Sequence, residues 1–141
     1  MESFASSRAD APAPARKAAA ISIPVSLAEL LDKITILEIK SEQFCGEKKR
    51  NVDHELSLLK HVLRQSGVEL LPKQHQELKA VNQSLWQIEE SIRQHEHRKD
   101  FGEAFIALAR SVYLENDKRA EIKRAINDDY NSAIKEEKSY A

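Results

Sequence analysis

IPVSLAELLDKITILEIKSE, residues 23–42, is the stretch whose reading decides the fold. It carries the clearest helix start in the chain. Ser26 is placed to cap the first turn, Glu29 follows three residues later, where its carboxylate can reach back, and Val25 can staple against Leu30. Pro24 keeps the helix from starting earlier. Wound at helical pitch, Leu27, Leu30, Leu31, Ile34, Leu37 and Cys45 share one broad face, while Ile36 and Ile39 point elsewhere. A helix apolar on two sides needs cover on both. This one is therefore expected at the centre, inside a bundle or between a bundle and a second subunit.

Working outward, Gly46 is the expected stop of this helix, and a second periodic segment runs from about Glu47 to Gln65 with Val52, Leu56, Leu59 and Leu63 on one face. Ser66 and Gly67 end it. Leu71 and Pro72 open a third helix, with Leu78, Val81, Leu85, Ile88 and Ile92 in register and Trp86 at the edge of the stripe. Asp100 and Glu103 form a second candidate capping box, and the fourth helix is expected from Phe101 to about Asn127, with Phe105, Leu108, Ala109, Val112, Ala120 and Ile126 inward. Arg110, Tyr113 and Asp117 flank that stripe and read as a helix–helix boundary in preference to the rim of a pocket. Strand signals are few, and 3 Gly and 4 Pro are too few for the turns of an all-β domain. The expected fold is all-α, an antiparallel bundle of about four helices with a long αα-hairpin at its C-terminal end.

The Ala-, Ser- and Pro-rich residues 1–20 read as a disordered leader ahead of a single helical domain at 21–141. Of 141 residues, 22 are Lys or Arg and 23 Asp or Glu, a balance that removes the general electrostatic case for nucleic acid or an acidic membrane as partner. No apolar run approaches the ~20 residues of a membrane span. Cys45 is the only cysteine, so no intrachain disulfide can form, and the expected location is the reducing cytoplasm.

The anomaly is where certain polar residues fall. Glu38 lies on the side of Leu31 and Ile34, Asn82 and Glu89 on the side of Leu78 and Leu85, and Asn116, Arg119 and Lys123 interleave with Phe105, Val112 and Ala120. Buried charges without partners cost several kcal/mol each, so these groups must meet one another, water or a ligand. One outcome is an internal network in which Glu38 and Glu89 pair with Arg119 and Lys123. The other is an inter-helix pocket in which the two cations face a small carboxylate or phosphate compound and the amides orient it.

Other chemistries lack their residues. His54, His61, His75, His95 and His97 include no pair at i, i+4 and no Glu-x-x-His occurs, so neither a metal site nor another cofactor is expected. The isolated glycines exclude a phosphate-binding loop or dinucleotide fingerprint. The run Lys48, Lys49, Arg50 has no interleaved aromatics and reads as a solvated face.

The segments IPVSLAELLDKITILEIKSE (23–42), VNQSLWQIEE (81–90), FIALARSVYLENDKRAEIKRAIN (105–127) and EEKSY (136–140) resemble a bacterial domain family of unassigned function. The resemblance spans about residues 21–140. It implies a small standalone bacterial protein and supplies no activity or ligand. Two functions therefore stand as expectations. The first is a protein-interaction or oligomerisation domain, motivated by Ile36 and Ile39 on the outer side of the first helix. The second is binding of, or electrostatic catalysis on, a small anionic metabolite by Glu38, Asn82, Glu89, Asn116, Arg119 and Lys123.

Overall fold

The computed structural model describes residues 16–139. The expected leader lies outside the described residues for 1–15, and 16–26 precede the first helix without regular structure. Four helices follow: α1 Leu27–Gln43, α2 Gly46–Ser66, α3 Pro72–Arg98 and α4 Glu103–Asp129, with no strand among the described residues. The all-α antiparallel reading holds, hairpin included.

α1 starts where its sequence dictates. Ser26 is extended, and its Oγ accepts the Glu29 N–H at 3.1 Å. The two preceding N–H groups, which have no partner within the helix, are taken from far along the chain. Ala28 N–H donates to Asn127 Oδ1 at 2.9 Å and Leu27 N–H to Ser132 Oγ at 3.3 Å. Glu29 does not reach back to complete a capping box, because its carboxylate accepts a bond from Lys123.

Two boundaries differ from expectation. α1 ends at Gln43 rather than at Gly46, with the Phe44 N–H closing on Lys40 O at 2.8 Å. Gly46, at φ +66°, opens α2 instead, and Cys45 sits exposed in the link rather than on the apolar face. α4 begins two residues late, at Glu103, because Gly102 takes the N-cap and Asp100 bonds the Gly102 N–H instead. Gly67 ends α2 in the left-handed region, φ +73°, and Pro72 occupies the first turn of α3, as the spacing predicts.

α1 packs against all three other helices, α3 and α4 pack against each other, and α2 packs on α1 alone. The bundle is thus α1 laid on the α3–α4 hairpin with α2 on its outer flank. The core is Ala28, Leu31, Leu78, Val81 and Ile126, with Leu27, Leu70, Ile122 and Tyr130 packed against it. Because α1 has three neighbours, its buried arc is wide. Ile39, expected on the outside, is 1% exposed, and Ile36 is half-buried. α2, with one neighbour, fully buries only Val52 and leaves Leu58 and Val62 open.

Lengths set the remaining shape. At about 1.5 Å rise per residue, the 17 residues of α1 cover about 25 Å, and the 27 residues of α3 and of α4 about 40 Å. The hairpin therefore runs on past α1 as a two-helix arm, tipped by Phe101 edge-on to Phe105 at 5.1 Å. No described helix is long and apolar enough to cross a membrane. Leu31 is 0% exposed in the core, so Leu31→Ala is expected to cost about 2–5 kcal/mol of unfolding free energy, read from urea denaturation followed by circular dichroism.

Candidate functional site

The polar interior is organised around a residue that the periodicity did not single out. Asp32 points from α1 into the hairpin and is 1% exposed. Its Oδ1 accepts from Asn82 Nδ2 at 2.8 Å and from Arg119 Nε at 3.0 Å, and its Oδ2 accepts a very short bond from Arg119 Nη2. The guanidinium thus grips the carboxylate with two parallel bonds, the strongest geometry available to this pair. Lys123 Nζ approaches Oδ2 at 3.5 Å. Thr35, fully buried one turn along α1, donates to the Asp32 carbonyl at 2.9 Å and accepts from Asn82 Nδ2 at 2.9 Å.

The network has an outer layer. Lys123 donates to Glu29 at 2.8 Å and lies 3.5 Å from Glu136, which the segment after α4 carries back along that helix. Arg119 Nη1 donates to Asn116 Oδ1 at 3.3 Å. Two cations thus face three carboxylates, Asp32, Glu29 and Glu136.

Ionisation follows from these contacts. Burial pushes the Asp32 carboxyl up, but the bonds from Arg119 and Asn82 and the charges of Arg119 and Lys123 outweigh it and hold the group below its ordinary range. The bond to Asp32 raises Arg119 further despite burial. Burial would lower Lys123, yet the Glu29 bond and the nearby carboxylates leave it raised. Asp32, Arg119 and Lys123 are therefore held in their charged forms at neutral pH.

Of the six residues singled out from the sequence, Asn82, Asn116, Arg119 and Lys123 converge here. Glu38 lies elsewhere. It is hydrogen-bonded to His75 Nε2 at 2.7 Å and stands 3.7 Å from Lys60, tying α1 to the start of α3 and to α2. Glu89 is exposed, because α1 ends before it can cover that part of α3. The expected pairing of Glu38 and Glu89 with Arg119 and Lys123 is therefore replaced by Asp32, Glu29 and Glu136. The signal that could have found Asp32 and Thr35 was present, since on α1 Thr35 lies between the main apolar face and Ile39, and Asp32 between Ile39 and Ile36.

Beside the network, where the last turns of α1 leave the hairpin, a cleft of ≈460 Å³ has apolar walls from Ile36, Ile39, Leu85 and Trp86 and a floor from Asn82, Asn116 and Arg119, with Glu89 at its rim. Among the described residues no three His, Cys, Asp or Glu come together as a metal-binding group.

Residues 21–141 match the model of a family described as a family of unknown function (DUF6165), so the chain belongs to that family. No curated protein and no solved structure matches it.

The sign of the pH dependence follows from Asp32. A carboxyl held below its ordinary value, 3.8, stabilises the fold in full at neutral pH and loses that contribution as the medium is acidified through the ordinary range toward the lowered one. The urea midpoint is expected to fall between about pH 5 and pH 2. Asp32→Asn, which leaves Arg119 without its counter-charge, is expected to cost about 3–5 kcal/mol at pH 7 and to flatten that acid limb. Denaturation curves at several pH values read both effects.

Proposed function

We propose that this member of the family works by self-association, forming a symmetric dimer through the outer face of α4. One observation carries the reading. Arg110 and Asp117, opposite in sign and seven residues apart, are exposed on that face, and neither pairs with another described residue. Around them Ile106, Tyr113 and Leu114 are 54%, 52% and 48% exposed. The sequence pattern of a helix–helix boundary is present, and no described helix of the chain lies on it.

A second copy fits the chemistry. A two-fold interface brings one patch against itself, so the patch must be complementary to its own rotated image. Two antiparallel α4 helices related by an axis between Tyr113 and Leu114 set Arg110 of each copy against Asp117 of the other, with Tyr113 against Leu114 across the axis. Seven residues are two helical turns, which keeps both charges on one face. Half-exposed aromatic and branched side chains flanked by matched charges are the composition of an interface core with a polar rim.

The alternative, binding of a small carboxylate or phosphate compound at Arg119 and Lys123, has less support. Both cations are already committed to carboxylates of the same chain, and a further anion would meet three negative groups at close range.

Size-exclusion chromatography with light scattering over a concentration series tests the dimer. A mass of twice 16.0 kDa is expected for the full chain, with Tyr113→Glu converting it to monomer. Arg110→Asp alone is expected to weaken the dimer, and adding Asp117→Arg to restore it. A wild-type protein that stays monomeric at all concentrations, or a double reversal that rescues nothing, overturns the reading.

A further inference from the structure

The cleft at the end of α1 has the size of a small-molecule site, ≈460 Å³ against roughly 300–1,000 Å³ for such sites in general. Its lining fixes what would fill it. The first constraint is charge. Arg119 on the floor is cancelled by the Asp32 carboxylate, and at the rim Lys40 and Arg93 are balanced by Glu89 and Glu90. Nothing there favours a ligand with net charge.

The second constraint is a pair of unused hydrogen-bonding groups. Asn82 is 5% exposed, and its Nδ2 donates to both Asp32 Oδ1 and Thr35 Oγ1, which fixes the orientation of the amide. Its carbonyl Oδ1 takes no bond from any described residue, while the side chain borders the cleft. Asn116 is oriented the opposite way. Its Oδ1 accepts from Arg119, so its Nδ2 keeps hydrogens to donate, and it borders the same cleft. A side chain with an open acceptor and one with an open donor therefore border one space. Asn82 Oδ1 is not among the fully buried atoms that lack a partner, so it meets solvent in the cleft, and a ligand bearing the right donor would take the place of water there.

The third constraint is shape. Trp86 supplies a flat wall, held by a tilted contact with Phe44 at 5.9 Å, and Ile36 and Leu85 make the rest apolar.

We infer that this cleft binds a small, neutral, planar amide. Its apolar body lies along Trp86, Ile36 and Leu85, its N–H donates to Asn82 Oδ1, and its C=O accepts from Asn116 Nδ2. A carboxylate of the same shape offers Asn82 no hydrogen and brings a second negative charge toward Asp32. An ester keeps the carbonyl and lacks the N–H. The site is independent of the proposed dimer, since none of Arg110, Tyr113, Leu114 or Asp117 borders it.

Trp86 is the only tryptophan, so its emission reads occupancy of the cleft directly. The probes are benzamide, benzoate and methyl benzoate, titrated into the full-length wild-type chain with excitation at the red edge of tryptophan. Benzamide is expected to give a saturable change with a Kd on the order of millimolar, and benzoate and the ester to bind about tenfold more weakly or not at all. Asn116→Ala is expected to weaken benzamide roughly fivefold to tenfold. The inference is overturned if benzamide gives no saturable response, if benzoate or the ester binds as well, or if a folded Asn116→Ala binds benzamide like wild type. The probe series is read on the wild-type chain, so the result stands even if that variant fails to fold.

Discussion

A carboxylate that is 1% exposed sets the terms for the rest of this molecule. Asp32 can be buried as an anion only if donors arrive from outside its own helix, because α1 offers none on that side. Asn82 must come from α3, and Arg119 and Lys123 from α4, each within bonding or ion-pair distance of the same two oxygens. Apolar contacts alone tolerate a slip of one helix along another by a turn. A bidentate grip on one carboxylate does not. The network therefore contributes to the register of three helices more than to net stability, since a well-packed apolar set of similar volume could hold the helices as firmly. The N-terminus of α1 repeats the same logic, because two of its free N–H groups are matched only when Asn127 and Ser132 stand beside it.

That anchoring is concentrated in the first half of α1, and the cleft opens beside it, toward the far end of the helix. α1 is ten residues shorter than either helix of the hairpin it lies on, so its far end leaves a cleft and the hairpin continues as an arm. α2, held by α1 alone, cannot reach across to cover either. The outer face of α4 is bare because the three neighbours that would surround a central helix have all gathered around α1. The open surfaces here are a consequence of which helix took the centre.

Much of the fold is legible in the sequence because its signals are local. Ser26, Gly67 and Pro72 act within one turn of themselves, and the apolar period marks the inner side of each helix, although α2 buries only Val52 of its stripe and Ala109 on that of α4 is exposed. The errors are also local in origin. Gly46 reads as a stop, whereas its left-handed backbone is used to start α2, and Asp100 reads as a cap until Gly102 takes that place. The polar site was legible by half. Arg119, Lys123, Asn82 and Asn116 interrupt narrow apolar stripes and so stand out. Asp32 and Thr35 lie on a helix buried over a much wider arc, where the boundary between inside and outside is blurred, and Glu136 comes from a segment with no period at all. Glu89 continues the stripe of α3 correctly. It is exposed only because of where α1 stops, which no property of α3 encodes.

The cleft and the anchoring network share Asn82, Asn116 and Arg119, and this links occupancy to the position of α1. A group bonded to Asn82 Oδ1 and Asn116 Nδ2 would hold the two amides in the orientations that Asp32, Thr35 and Arg119 already require. It would thus favour the same arrangement that buries the carboxylate, and by mass action anything binding only that arrangement stabilises it. The reverse also follows, because loosening the Asp32 grip frees both amides to rotate and dissolves the donor–acceptor pair on the floor. The proposed site would gain its geometry from a structural ion pair rather than from residues dedicated to the ligand, so that register and recognition would rest on the same polar residues.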